Sequence, residues 1–150
     1  MSFGAVASGA GKTTFDVDPQ TNVVNSANIT LDPNKIGTPN DYAIDAAHEG
    51  THVEDELTGL LSATAHESAG FPDLPMLTEF QTEYRGYQTS AFAAQALGLP
   101  ELSFGGNMIW NQSWSAADRE KQRDNGITRI VTGPPYNLGE STPHNPWPKN

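Results

Sequence analysis

The stretch DYAIDAAHEGTHVEDELTG, residues 41–59, decides how this chain folds. The residues around its start form a helix N-terminus: Thr38 is the N-cap, Pro39 is at the first helical position, and Asp41 is an acid three residues after the cap. Apolar residues then recur at helical spacing as far as Gly59, where a helix can end. We therefore predict one long helix with HEGTH near its centre.

His48 and His52 are four positions apart, so a helix projects both imidazoles from one face. A single Zn²⁺ can bridge such a pair at about 2.0–2.1 Å per nitrogen. Glu49 follows roughly 100° further round the helix, where it can hold the metal's water and accept its proton as a general base. Gly50 costs about 1 kcal/mol relative to Ala inside a helix, and a backbone or substrate pressing on that face would explain it. The pattern predicts a catalytic zinc site.

A tetrahedral catalytic zinc needs a third protein ligand. The chain has no Cys, so this ligand must be His, Asp or Glu. A second helix, predicted over residues 77–97, carries Glu79 and Glu83 four positions apart on one face. One of them can bind metal while the other hydrogen-bonds a ligand imidazole, although two solvated acids on an exposed face would give the same spacing. His66 and Glu67, in the loop predicted over residues 60–75, are less well anchored candidates.

The remaining patterns predict a single α+β domain over residues 1–150, with a small antiparallel or mixed sheet packed on the two long helices. The predicted strands are residues 14–17, 28–31 and 127–131, and a short charged helix runs from Ser115 to Gly126. Residues 1–14 are expected to be a flexible lead-in, and the Pro-rich residues 134–150 an extended surface tail. Trp110 and Trp114, four positions apart, indicate local packing.

Charge and composition exclude several functions. The net charge of −10, from 18 acidic and 8 basic residues, repels phosphate backbones and argues against nucleic-acid binding. The run GAGKTT at residues 9–14 is rejected as a phosphate loop, because Val6 stands where that motif needs Gly and no helical pattern follows. No apolar run reaches the ~18 residues of a membrane span, and the N-terminus lacks the features of a signal peptide. We expect that secretion or delivery into a target cell would depend on a larger protein.

Three segments carry a resemblance to a known family: ANITLDPN at 27–34, HEGTHVEDELTG at 48–59 and TEYRGYQTSAFAAQALG at 82–98. Together they resemble zincin metallopeptidases whose third ligand is a glutamate. More narrowly, they are similar to the C-terminal metallopeptidase toxin domains of Rhs-type polymorphic toxins. The resemblance implies a zincin-like fold with Glu83 as the third ligand, because Glu83 opens an E-x-x-A/G-Y pattern that Tyr87 completes. A comparison with E-x-x-x-D zincins would choose Glu79, but position 83 is not Asp.

The resemblance also implies an activity, that of a zinc endopeptidase acting on a protein target as a toxin effector, with a cognate immunity protein as partner. The candidate donors for the oxyanion are Tyr87, Tyr84, His66 and His144. The strand at residues 28–31 is expected to pair with an extended substrate peptide. Two rival functions remain: a catalytically inactive zinc-binding interaction module, favoured by the acidic balance and the Pro-rich tail, and a structural passenger of a larger secreted protein.

Overall fold

The computed structural model describes residues 1–7, 9–21, 24–57 and 77–139. Internal contacts divide the chain into two compact units, Met1–Leu77 and Thr78–Asn150, named here the N-terminal and C-terminal units. Each contains helix and sheet, which confirms the α+β class. Within the described ranges, no helix is long and apolar enough to cross a bilayer. The assignment of residues 1–150 to one domain stays a prediction.

The N-terminal unit contains a three-stranded sheet of order β1-β3-β2. Strand β3 lies in the centre, parallel to β1 and antiparallel to β2. The strands are β1 (Ser2–Phe3), β2 (Gly11–Val17) and β3 (Val24–Leu31). The two strands predicted in this region are therefore confirmed, and both begin earlier than expected. Strand β3 pairs with β2 along its length but with β1 only at Thr30 and Leu31, so the expectation that residues 28–31 pair with a substrate peptide stays a prediction. Among the described strands, β1 and β2 lie at the two edges of the sheet.

The lead-in predicted over residues 1–14 is instead part of this sheet. Ser2 pairs with Thr30, and Gly11 pairs with Leu31. Small and polar residues can join a strand because the ladder bonds are made by the backbone and need no apolar side chain. The GKTT segment accordingly lies in β2 rather than in a loop that precedes a helix.

Helix α1 (Pro39–Leu57) confirms the predicted HEGTH helix. Thr38 Oγ1 accepts a hydrogen bond from the Asp41 backbone N–H at 3.2 Å, and Asp41 Oδ2 accepts one from the Thr38 N–H at 2.9 Å. This reciprocal pair satisfies two of the backbone donors that a helix start leaves without partners. The helix packs on β2 and β3, with Ile44 and Leu31 almost fully buried. The predicted end at Gly59 and the loop over residues 60–75 lie outside the described residues.

The C-terminal unit contains two helices and a hairpin. Its elements are α2 (Glu79–Ala96), β4 (Glu101–Phe104), β5 (Asn107–Asn111) and α3 (Arg119–Thr132). Helix α2 confirms the second predicted helix: Thr78 and Gln81 form a capping box, and Gly98 follows the helix with φ +69°. The hairpin is not predicted by the sequence analysis, although Gly105 and Gly106, both at positive φ, are the residues that a two-residue turn favours.

The predicted break at Gly126 is wrong, because α3 continues through it and residues 127–131 are helical, not a strand. Ile127, Ile130 and Val131 are buried at helical spacing. A Cβ built on Gly126 would lie 2.0 Å from the backbone oxygen of Met108 on β5. Gly126 therefore permits close packing of α3 on the hairpin and does not end the helix.

Replacing Gly126 with alanine is expected to destabilise the protein by about 3 kcal/mol, since a well-packed contact must open to admit the methyl group. The free energy of unfolding in urea measures this. The matched control is Gly139→Ala, whose Cβ would meet no described atom within 4 Å and should change stability by less than about 0.5 kcal/mol. Equal stability of the two variants would contradict the packing role of Gly126.

The first part of the predicted extended tail folds back onto α3. Asn137 N–H donates to Gly133 O at 2.8 Å, and Leu138 N–H donates to Val131 O at 3.1 Å. These bonds use carbonyls near the end of the helix, which have no partner within it. The turn places Tyr136 next to α2, as its hydrogen bond to Tyr87 shows. Residues 140–150, including His144 and Trp147, lie outside the described residues.

Candidate metal centre

His48 and His52 lie on adjacent turns of α1. Their ring centroids are 5.0 Å apart and the rings are nearly perpendicular, at 82°. His48 is 8% exposed and His52 is half-buried. The helical spacing thus produces the side-by-side imidazoles that a shared metal ion requires.

The structure groups these two histidines with one glutamate. A ligand atom from each of His48, His52 and Glu83 lies within 4.8 Å of the other two, so the three residues could hold a metal ion. Glu79, the second candidate for the third ligand, is the exposed first residue of α2 and does not belong to this group among the residues that the structure describes. His66 and Glu67, the less well anchored candidates, lie outside those residues.

Glu49, the predicted general base, is 8% exposed and contacts strand β2. Its Oε2 accepts a hydrogen bond from the Thr13 hydroxyl at 2.7 Å, and its backbone oxygen lies 3.1 Å from the same hydroxyl. A Cβ built on Gly11 would lie 2.8 Å from both Cγ and Oε1 of Glu49. The carboxylate is therefore packed directly against the backbone of β2.

Gly50 does not face a crowded surface. A Cβ at this position would meet no described atom within 4 Å. Close approach of another protein backbone, one of the two explanations expected from the sequence, is not found within the described ranges. The other explanation, an approaching substrate, stays a prediction.

Two tyrosine hydroxyls lie beside Glu83 in the C-terminal unit. Tyr87 is one helical turn after Glu83, and its hydroxyl lies 3.0 Å from that of Tyr136. The pKa of Tyr136 is raised above its ordinary value mainly by burial, and the nearby charge of Glu83 and the Tyr87 hydroxyl raise it further. Tyr136 therefore stays protonated and can act as a hydrogen-bond donor near the carboxylate. Sequence reasoning missed Tyr136, because nothing in a Pro-rich segment indicates that it returns to α2.

Tyr84, another predicted oxyanion donor, has a structural partner. Its hydroxyl donates to Asp124 Oδ1 at 2.9 Å, linking α2 to α3. Burial and the charge of Asp124 raise the pKa of Tyr84. This bond connects the two helices of the C-terminal unit, whereas the predicted donors His66 and His144 lie outside the described residues.

Three acids near the histidines on α1, namely Asp45, Asp55 and Glu56, are at least partly buried. Asp55 has no exposed surface, and burial raises the pKa of Glu56. Burial also raises the pKa of Asp45 to about 6; His48 opposes this shift, while Asp41 and Glu49 add to it. The region around the histidines is therefore poorly solvated and rich in carboxyl groups, and a cation bound there would favour their ionised form.

Asp45 should make the stability of the metal-free protein depend on pH. Its folded pKa of about 6 exceeds an unfolded value of about 3.9, so ionisation disfavours the folded state. Below about pH 4, Asp45 is protonated in both states and its ionisation does not lower the free energy of unfolding. The free energy of unfolding falls between about pH 4 and 6 and shows no further loss from Asp45 above that range. Asp45→Asn should match wild type at pH 4 and be more stable by about 1 kcal/mol at pH 7.5, a value reduced for the partial exposure of the side chain.

Urea unfolding of zinc-free protein at the two pH values tests this dependence, because a cation at His48 would itself lower the Asp45 pKa. Asp16→Asn is the matched control, since it removes an exposed acid from β2. A stability difference between Asp45→Asn and wild type that is the same at both pH values would contradict the expected origin in ionisation.

Comparison with known proteins adds no relative: no family profile, curated protein or solved structure matches this chain. The candidate centre is therefore defined by its own geometry. It consists of His48, His52 and Glu83 as the group that could hold a metal ion, with Glu49 beside His48 in the chain. Such a set of two imidazoles and one carboxylate leaves a tetrahedral ion one position for water or substrate.

Proposed function

We propose that this chain is a zinc-dependent endopeptidase with a zincin-like active site. The observation that carries the proposal is the grouping of His48, His52 and Glu83, with a buried carboxylate next in sequence to the first histidine. Two His and one Glu are a donor set known for catalytic zinc. The H-E-x-x-H spacing adds a general base on the same rigid helix.

The donor atoms suit zinc in type and in distance. Three ligand atoms on one tetrahedral zinc lie about 3.4 Å apart, because each bond is about 2.0–2.1 Å long. The ligand atoms of the three residues lie within 4.8 Å of one another, which is compatible with joint binding of one ion. When bound, zinc supplies Lewis acidity, which makes water a nucleophile near neutral pH and polarises a carbonyl.

The chain's own residues supply proton transfer. Glu49 accepts a proton from the attacking water and returns it to the amine that leaves when the peptide bond breaks. The phenols of Tyr87 and Tyr136, 3.0 Å apart, are the donors proposed for the oxyanion of the tetrahedral intermediate. Tyr87 is thus retained as a catalytic residue, with Tyr136 as its partner.

A peptide substrate is proposed to bind as an additional strand along the outer edge of β2. This strand is the last one of the sheet in the described part of the chain, and Glu49 packs against it. Pairing with an edge supplies main-chain hydrogen bonds that do not depend on the substrate's sequence, while alternate side chains provide selectivity. Substrate backbone would then lie close to the general base.

The biological role proposed from the family resemblance is that of a toxin effector, delivered into a target cell as part of a larger protein. A cognate immunity protein would block the active site. Cytosolic expression of active protein should then slow growth, and co-expression of the immunity protein should restore it. Unchanged growth under strong expression would remove the toxin role and leave the peptidase activity to be judged separately.

The peptidase proposal is tested by incubating zinc-loaded protein with a complex mixture of native proteins and identifying new N-termini by mass spectrometry. New termini are expected with zinc, none after chelation, and recovery when one equivalent of zinc is returned. If one zinc binds per chain but no termini appear in any mixture, the inactive zinc-binding module is the correct function. If no zinc binds, both proposals are wrong.

A further inference from the structure

We infer that Gly11 and Thr13 of β2 hold the Glu49 side chain in its orientation. Thr13 is therefore a positioning residue for Glu49. The inference rests on the proposed function and adds to it a second element, an edge strand, that fixes the general base. The two residues are called here the Gly11–Thr13 segment. Nothing in the HEGTH motif itself specifies this contact.

The hydroxyl of Thr13 defines the direction in which the Glu49 carboxylate points. It donates to Oε2 at 2.7 Å, an ordinary distance for a hydrogen bond between a hydroxyl and an oxygen acceptor. The same hydroxyl lies 3.1 Å from the Glu49 backbone oxygen. One side chain on β2 therefore contacts both ends of the glutamate.

Gly11 supplies the space for this arrangement. Residues 11 and 13 lie on the same face of β2, because side chains alternate along a strand. A Cβ at residue 11 would lie 2.8 Å from Cγ and from Oε1 of Glu49, so any larger residue forces the carboxylate to move. Its φ is not in the left-handed region, so this contact, and not backbone strain, makes glycine necessary.

The segment is well suited to positioning because its own location is fixed. Gly11 pairs with Leu31 and Thr13 pairs with Ile29 in an antiparallel ladder. Glutamate is among the side chains with the most rotamer freedom to lose, and a general base must be held within about 0.5 Å of its working position. A rigid strand that contacts the carboxylate removes that freedom before substrate binds.

Steady-state kinetics of three threonine variants test the inference. Thr13→Val removes only the hydroxyl and is expected to lower kcat about 10- to 100-fold with unchanged KM and zinc affinity. Thr13→Ser keeps the hydroxyl and should restore kcat to within about threefold. Thr132→Val is the matched control, because Thr132 is exposed at the end of α3, outside the strand proposed to bind substrate, and its kinetics should not change. Wild-type kcat in Thr13→Val, or equal losses in Thr13→Val and Thr13→Ser, would overturn the inference.

The glycine is tested in the same way. Gly11→Ala should lower kcat at least as much as Thr13→Val, again with unchanged zinc affinity. Gly4→Ala is its matched control, because the added Cβ would meet its nearest atom, Thr30 Cγ2, at an ordinary 3.7 Å. Unchanged kcat in a folded Gly11→Ala protein would show that the carboxylate position does not depend on this strand.

A double-mutant cycle on folding separates this inference from the proposed function, since it requires no activity. Unfolding constants are measured for wild type, Thr13→Val, Glu49→Ala and the double variant. A hydrogen bond predicts a coupling of roughly fivefold in the unfolding constant, and a cycle with Thr132→Val should show none. Coupling in a protein that cleaves nothing would keep the contact and reject the peptidase, whereas absent coupling rejects the contact whatever the activity.

Discussion

Replacing Glu83 with alanine is expected to weaken zinc binding at least about 100-fold, because it removes the only carboxylate in the group with His48 and His52. Two imidazoles alone hold the ion less tightly than three protein ligands, and the negative charge that balances the cation is lost. The dissociation constant is measured by competition with a chromophoric chelator. His52→Ala should produce a loss of similar size.

Glu79→Ala is the matched control for Glu83→Ala. It removes the same side chain from the same helix, but Glu79 is exposed and lies outside the group. Its only expected effect is a loss of about 0.5 kcal/mol of stability, since an acid in the first turn favours the helix dipole. Retained zinc affinity in Glu83→Ala, with loss in Glu79→Ala, would assign the third ligand to Glu79 and contradict the present grouping.

The sequence predicted those features that neighbouring residues determine. The start of α1 follows from Thr38 and Asp41, which hydrogen-bond to each other, and the histidine pair follows from a spacing of four. Such signals act within one or two helical turns, so they can be recognised without the rest of the fold. The paired histidines of the candidate site were therefore predictable from the chain alone.

The features that sequence reasoning missed depend on contacts distant in the chain. Gly126 was predicted to end a helix. Its actual role is to allow close packing against Met108, which lies 18 residues earlier in the chain. Tyr136 reaches Tyr87 across 49 residues. Residues 1–14 carry no apolar pattern, yet residues 2–3 and 11–14 pair with β3 through backbone bonds. In each case the decisive partner is not a sequence neighbour.

The third ligand lies between these two cases. Glu79 and Glu83 share a helical face, so the periodicity predicted that one of them would approach the histidines but did not distinguish them. The family resemblance favoured Glu83, and the grouping in the structure includes the same residue. Glu79 is the exposed first residue of α2, immediately after the Thr78 cap, whereas Glu83 lies one turn inside the helix and is partly buried.

Replacing Glu49 with glutamine is expected to lower kcat by at least about 1,000-fold while zinc affinity and fold are retained. The amide has almost the shape of the carboxylate, and its oxygen can still accept the Thr13 hydrogen bond, now made at 2.7 Å to Oε2. It cannot accept the proton of the attacking water, because a neutral amide is a very weak base. The expected loss therefore falls on kcat and not on metal binding.

Glu54→Gln is the matched control for Glu49→Gln, since it makes the same chemical change at an exposed position of α1 and should leave kcat unchanged. Cleavage rates and zinc content are measured on the same samples of both variants. Wild-type rates in Glu49→Gln would reject hydrolysis by this site, because no other carboxylate follows directly on a histidine of the group. Loss of zinc in that variant would instead mean that Glu49 supports the metal site, and general-base catalysis would have to be assigned to another residue.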